Sequence, residues 1–470
     1  MSRLVEELLA IAKLEARKRG RAVRVSAVMR VEPDPDAFLL APIKMPGEGR
    51  LWGAAYGRRG EEPQFCFAAD PRNRDDETKN AIAPLARDLD AYFNHCLEQK
   101  RAPQVWVSSS AAVRFLDALG ERRTTPDYPS VALLGRHAYW LTDRFCYAGQ
   151  QVMLSAVNAL SAHIATGQSP FEDQHLGALL AWVEPPPDQI PEAAARLAEE
   201  IPAGVNTDVE LDYELEPLLA ELAELRREGR DAARETEIAD AVREALKPMA
   251  LRIYGLIERA ILALERQDLE IASRMDDLRQ DDYRSFSFYM TRDFIPLRPS
   301  PREAARLLAE REDAVDKAAR AFVQEDVIEK AVAQVSGDVL HGIVTDAVYG
   351  NRAGSIHELE ITTSQAVSAL RIGDHVRVDA PTTIELQLIA QGSPDAAGER
   401  QLRFRVGRGK MSLEGFLDEE VALLPGGGGF FERGSGQLGD PWVIDPRGRA
   451  PQSLGHPVPQ DPLADLEVLR

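Results

Sequence analysis

Apolar residues early in the chain recur at every second position and later at every third or fourth, so the pattern changes character along its length. Val23, Val25, Ala27, Met29 and Val31 fall on one side with Arg24, Ser26 and Arg30 opposite, which predicts a half-buried strand. Strand-like runs follow at Phe38–Ile43, Leu51–Tyr56 and Gln64–Ala68, separated by turn material such as Pro33-Asp34-Pro35-Asp36 and Gly57-Arg58-Arg59-Gly60. Between Glu77 and Lys100, Ile82, Leu85, Leu89, Tyr92, Phe93 and Cys96 take helical spacing. A short buried strand (Gln104–Val107) precedes a helix from Ser109, a plausible N-cap, to Leu119, with Gly120 as its stop. The apolar run Val131–Leu134 reads as another strand, followed by helices at about Gln150–Thr166 and Phe171–Val183.

Pro185-Pro186-Pro187 marks a boundary, and a long helical region follows. Leu215, Leu218, Leu219, Leu222 and Leu225 form one apolar stripe. Val242, Leu246, Met249, Ile253, Leu256 and Ala260 form a second, spaced like the seam of a coiled-coil hairpin. Prolines between Pro296 and Pro301 reset the chain before a charged stalk helix, Arg302 to Ala333, whose inward face would be Leu307, Leu308, Val315, Ala319, Phe322 and Val323. Short alternating strands then read Val339–Tyr349, Ile356–Thr362, His375–Val378, Ile384–Ala390 and Gln401–Val406, a spacing that predicts a small β-barrel. Past Pro425, glycines and prolines cannot build a core and predict a flexible or surface-draped segment. The expected fold is α+β and multidomain. A mixed N-terminal domain occupies 1–184, a helical coiled-coil and stalk region 188–335, a small β-barrel 336–424 and a Gly/Pro-rich tail 425–470.

With 44% hydrophobic and 28% charged residues over 470, the composition is that of a soluble globular protein. No apolar run reaches the roughly 18 to 20 residues of a membrane-spanning helix. In Met1–Gly20, Leu4, Leu8 and Ile11 share a helix face while Lys13, Arg17, Lys18 and Arg19 come last, which predicts a docking helix rather than a secretory signal. Cys66, Cys96 and Cys146 have no paired spacing, which suits a reducing cytoplasm and excludes a disulfide framework or a cysteine-based zinc site. A net charge of -20 argues against broad adhesion to nucleic acid, so any such contact must be local.

Antiparallel strands followed by alternating helix, strand, helix, strand and helix resemble a ribonuclease H-like domain. A nuclease of that kind clusters acids on its first and fourth strands, where two Mg or Mn ions flank the scissile phosphate. Here Glu32, Asp34 and Asp36 lie beyond the first expected strand among prolines, and Gln104-Val105-Trp106-Val107-Ser108-Ser109-Ser110 places serine where an acid is wanted. The expectation is a catalytically degenerate domain without a cofactor. Its alternative is a divergent metal-dependent nuclease using Asp70, Asp117 or Asp143. The serine run near His137 and Asp143 lacks a Gly-x-Ser-x-Gly elbow and reads as an N-cap cluster. His341, His357 and His375 fall on separate strands and lack a fourth zinc ligand. Gly407-Arg408-Gly409-Lys410 misses the upstream glycine and the hydroxyl of a phosphate-binding loop. Arg403 and Arg405 share one strand face, with Arg408 and Lys410 extending the line, so these four are the candidate nucleic-acid contacts. Their alternative is to pair with the chain's surplus acids.

A stalk helix feeding a β-module, through Phe322-Val323-Gln324-Glu325-Asp326-Val327-Ile328 to Gly337 and Gly342-Ile343-Val344, resembles bacterial helicases of the superfamily-one Upf type. Those carry a stalk and small β-barrel inserted in the first motor domain, and some have a ribonuclease H-like region upstream. The resemblance covers Arg302 to Lys410 and, more loosely, Val23 to Val183, whereas the motor motifs are missing. It implies a non-enzymatic accessory or scaffold subunit of a nucleic-acid-processing complex in the cytoplasm, in genome maintenance or bacterial defence. Its partners would be a separately encoded ATPase or helicase and single-stranded nucleic acid, with no membrane. A purely structural protein-interaction module is a further alternative.

Overall fold

A computed structural model describes residues 3–46, 50–73, 79–125, 127–229, 231–272, 275–292, 294–349, 356–378, 384–407 and 420–425. Arg408, Lys410 and the tail from 426 onward lie outside the described residues. Helix α1 (Arg3–Arg19) leads to two short strands, β1 (Val23–Arg24) and β2 (Val28–Met29). The single strand expected over 23–31 is therefore split. Its break comes from bonds to distant partners: Ser26 is fully buried with its hydroxyl 2.7 Å from the Asp326 carboxylate, and the Val25 N–H donates to the His163 backbone carbonyl at 2.8 Å.

Strands β3 (Phe38–Ile43), β4 (Gly53–Arg58) and β5 (Gln64–Phe67) form an antiparallel meander. Helix α2 (Ala83–Glu98) returns the chain to β6 (Val105–Val107). Helices α3 (Ser110–Gly120) and α4 (Pro129–Phe145) then lead to β7 (Met153–Ser155). The five strands lie in the order β5-β4-β3-β6-β7, with β6 parallel to β3 and β7 parallel to β6. Val131–Leu134, expected as a strand, lies inside α4, where Leu134, Ala138 and Leu141 bury one helical face. A four-residue apolar run is too short to tell the two periods apart.

The helix expected at Gln150–Thr166 is instead β7, α5 (Ala156–Ser161) and β8 (Ile164–Ala165). Gln150 Oε1 accepts the N–H groups of Val152 and Met153 at 2.7 and 2.8 Å, which turns the chain into β7 rather than a helix. Helices α6 (Leu176–Val183) and α7 (Pro191–Glu199) precede α8 (Val209–Glu228), which stops at Gly229 in the left-handed region (φ 65). In α9 (Ala232–Glu265) the predicted stripe is buried, as is that of α8 at Leu215, Leu219 and Leu222. Helix α9 packs against the sheet and α8 against α9, and both share the core of Leu39, Ala41, Ile43 and Trp106. The opposite face, with Phe38, Leu40, Val105 and Val107, meets α2, α3 and α4.

After β9 (Glu270–Ile271), which pairs with β2, α10 (Met275–Met290) adds Phe286 and Tyr289 to that second core. The stalk, expected as one helix, is two: α11 (Pro301–Glu325) and α12 (Val327–Ser336). Between them Asp326 is extended and fully buried. Its carboxylate accepts from Ala27 N at 3.2 Å, Arg30 Nη2 at 3.0 Å and Ile328 N at 2.9 Å. Burial opposes ionisation of Asp326, but the hydrogen bonds from Ser26, Arg30 and the backbone outweigh it and hold the carboxyl below its usual range. Long-range capture of one carboxylate thus breaks the stalk and fastens it to the sheet domain. The predicted inward face shifts as well, since Leu308 and Val315 are 57% and 52% exposed while Ala318 and Ala321 are buried. Small residues there let α11 approach the turn at Gly149.

Beyond Gly337 (φ 84) come β10 (Leu340–Tyr349), β11 (Ile356–Thr363), β12 (His375–Val378), β13 (Glu385–Gln391), β14 (Arg400–Val406) and β15 (Glu420–Pro425). They close a barrel in the order β10-β11-β14-β13-β12-β15. Leu359, Ile361, Leu386, Leu388, Leu402 and Phe404 fill its interior. The five expected strands are present to within a residue or two, and a sixth, β15, closes the ring without having been marked by the sequence pattern.

Candidate functional site

Alternation along β14 turns Leu402, Phe404 and Val406 inward and leaves Arg403 and Arg405 exposed. Register then decides what those arginines meet. In β11, Glu360 lies opposite Arg403 and Glu358 opposite Arg405. Arg403 Nη2 approaches Glu360 Oε2 at 3.5 Å, and on β12 and β13 Arg377 meets Glu385 at 3.2 Å. The basic row is therefore interleaved with acids, which weakens its pull on phosphate. Arg408 and Lys410 lie outside the described residues.

The three candidate aspartates do not come together. Asp70 sits just after β5, nearly buried, and its Oδ1 accepts from the backbone N–H and Nε of Arg72 at 2.9 and 3.1 Å. Asp117 on α3 and Asp143 on α4 border one hollow of about 370 Å³. There the Thr142 hydroxyl donates to Asp117 at 3.1 Å, and Arg311 Nη2 holds Asp143 at 2.5 Å. Among the described residues no group of three or more His, Cys, Asp or Glu side chains is placed to hold a metal ion. With Asp143 already neutralised by Arg311, this pair does not fit the two-ion chemistry that Mg or Mn would supply.

The serine run is likewise not joined to His137. Ser109 occupies the N-cap position of α3 without a side-chain capping bond, and Ser110 donates to Asn158 Oδ1 at 3.1 Å. His137 bonds elsewhere: its Nε2 lies 2.9 Å from Asp90 Oδ1, and its Nδ1 lies 2.8 Å from the Tyr289 hydroxyl. Burial depresses the His137 pKa, while the hydrogen bond from His137 keeps the Asp90 carboxyl below its usual range. The pair is a neutral imidazole donating to a carboxylate, which leaves Nδ1 to accept from Tyr289. His341, His357 and His375 stay on separate strands, and His341 bonds Gln334.

Tyr289 also belongs to a cleft of about 570 Å³ walled by α4, α10 and the first half of α11. Tyr289 stacks on Trp140 with ring centroids 5.0 Å apart. Phe288 stands 59% exposed at the mouth, with the Arg292 guanidinium 5.0 Å above its ring. Arg144 joins the wall through buried Asp282, whose carboxyl burial pushes up while Arg144, at 2.5 Å, opposes the shift. A sequence signal for this cleft exists. Trp140 and Arg144 stand four residues apart along α4, as do Arg284, Phe288 and Arg292 along and just past α10.

Comparison with known protein families, curated proteins and solved structures finds no match. Among the described residues no helix is long and apolar enough to cross a membrane.

Proposed function

We propose that the chain is a non-enzymatic accessory or scaffold subunit of a nucleic-acid-processing complex, working beside a separately encoded ATPase or helicase. One observation carries this reading. The order β5-β4-β3-β6-β7, three strands antiparallel and two parallel, is the arrangement a ribonuclease H-like domain requires. Yet β3 and β6, its first and fourth strands, hold no acid and β6 runs out into Ser108 and Ser109. A sheet of that order without those acids supports a positioning role.

The second half of the molecule supports the same reading. Asp326 ties the stalk to the sheet domain, so the barrel is carried on a fastened arm rather than a loose linker. Such an arm presents a surface at a set place beside the base, as a subunit lending its barrel to a motor would need. Genome maintenance or defence in the cytoplasm is the setting we propose for it. The test is affinity capture of the tagged full chain from its own cells. An ATPase or helicase should come down with it, and capture without either would overturn the accessory reading. A metal-dependent nuclease is the second reading, favoured only by the shared hollow of Asp117 and Asp143.

A further inference from the structure

We infer that the cleft between α4, α10 and α11 seats one nucleotide unit of a single strand, with Phe288 as the stacking surface and Arg284 and Arg292 as phosphate contacts. The inference rests on the nucleic-acid reading above but moves the contact away from the barrel. Its size is right, since ligand sites commonly enclose about 300 to 1,000 Å³ and this one encloses about 570 Å³. Stacking needs an aromatic face open to solvent, and Phe288 offers one next to the buried Trp140–Tyr289 pair.

The charges inside the cleft sort themselves. Glu303 and Glu310 share Arg306, and Asp143 is held by Arg311, so the wall keeps one carboxylate charge beyond its paired cations. Arg292 makes no salt bridge among the described residues and lies over Phe288 instead. Among the described residues Arg284 pairs with Asp281 on its own helix at 2.9 Å, and both side chains are exposed. Such a pair is worth little and yields readily to phosphate. Nε of Arg144 and of Arg311, both on lining residues, is buried with no acceptor among the described residues. Arg292 offsets the carboxylate charge that Arg306 leaves over, so the mouth is close to neutral in a chain whose net charge is -20. A base over Phe288 with its phosphates toward Arg284 and Arg292 answers that combination. The barrel's β14 row, with Glu360 paired to Arg403 and Glu358 opposite Arg405, does not.

The experiment is fluorescence anisotropy of a labelled oligothymidine titrated with the full chain at low and moderate salt. A parallel titration uses labelled thymidine monophosphate. Native protein should bind the oligonucleotide more tightly than the mononucleotide. The double variant Phe288→Ala, Arg292→Ala should weaken binding by on the order of tenfold, since stacking alone is worth about 1–3 kcal/mol per base. Arg284→Ala with Arg292→Ala should flatten the slope of log affinity against log salt by about 0.7 for each phosphate left without its arginine. Arg403→Ala with Arg405→Ala should change the affinity less than twofold. All of these positions are exposed, and matching thermal melts will confirm intact folds. Native binding that the cleft variants leave unchanged would overturn the cleft assignment while leaving the accessory reading standing. No oligonucleotide binding by the native chain, or tighter binding of the mononucleotide, would overturn it too. In the first of these cases only a protein-interaction role would survive.

Discussion

The central sheet and the barrel bury their strands in opposite ways. Every residue of β3, β6 and β7 is buried, because helices cover both faces of the sheet. Along β14 and β11 burial alternates, with apolar side chains inside and charged ones outside. A doubly covered sheet can act only at its strand ends and flanking clefts, and those of β6 offer serines rather than acids. A barrel keeps one whole face for solvent and for partners, and here it covers that face with cross-strand charge pairs. The sheet domain is a base, the barrel is a presented surface, and Asp326 is where the two are fastened.

Cutting that fastening should have the largest effect. Asp326→Ala leaves the Ala27 and Ile328 N–H groups without their acceptor and takes one of two acceptors from Ser26 and Arg30, which keep Val28 O and Glu329. It should cost about 3–5 kcal/mol in denaturant unfolding, since a buried N–H left unpaired costs about 1–3 kcal/mol and a lost helix cap about 1 more, on top of the charged bond to Arg30. A cost near zero would mean that base and arm are held by something else. Leu388→Ala, fully buried in the barrel, should cost about 2–5 kcal/mol and unfold the barrel selectively. Fluorescence of Trp52, Trp106, Trp140 and Trp182, all in the sheet domain, should not follow that transition. If it does, the two regions are one cooperative unit.

Acid should strike the base. His137, His163 and His175 are each depressed, first of all by burial, so the folded domain keeps them neutral. Their unfolded counterparts take up protons near pH 6.5. Stability is therefore complete above that value and declines as pH falls below it. Thermal melts between about pH 7.5 and 5.5 should show the decline, and His137→Gln should reduce its slope; a flat profile would contradict it. The smallest effect belongs to the barrel face. Arg403→Ala removes an exposed pair with Glu360 and should change stability by less than about 1 kcal/mol. A larger loss would show that the outer charges hold the barrel together rather than dress it.

The same contrast explains how much of the fold is legible in the sequence. Alternation along β10 to β14 survives because one face of each strand meets water, so the pattern places the barrel strands nearly to the residue. The closing strand, Glu420–Pro425, carries four apolar residues without alternation and gives no such signal. Doubly buried strands lose the period-two signal, which is why the sequence around β7 reads as helix. Val23–Val31 has the alternation of a strand but not its structure, because the decisive partner of Ser26 lies 300 residues away. Of the site, the outward direction of Arg403 and Arg405 is legible, while the acids opposite them require the register of β11. The aromatic and arginine spacings of Trp140 and Arg144 in α4 and of Arg284, Phe288 and Arg292 are present too, but only tertiary packing brings them to one cleft.

Incubating the purified full chain with labelled single- and double-stranded DNA and RNA, in magnesium and then in manganese, goes straight to the claim that this molecule arranges rather than cuts. No cleavage of any substrate is the expected result. Cleavage that disappears on Asp117→Asn or Asp143→Asn would contradict it and make the hollow beside α11 an active site.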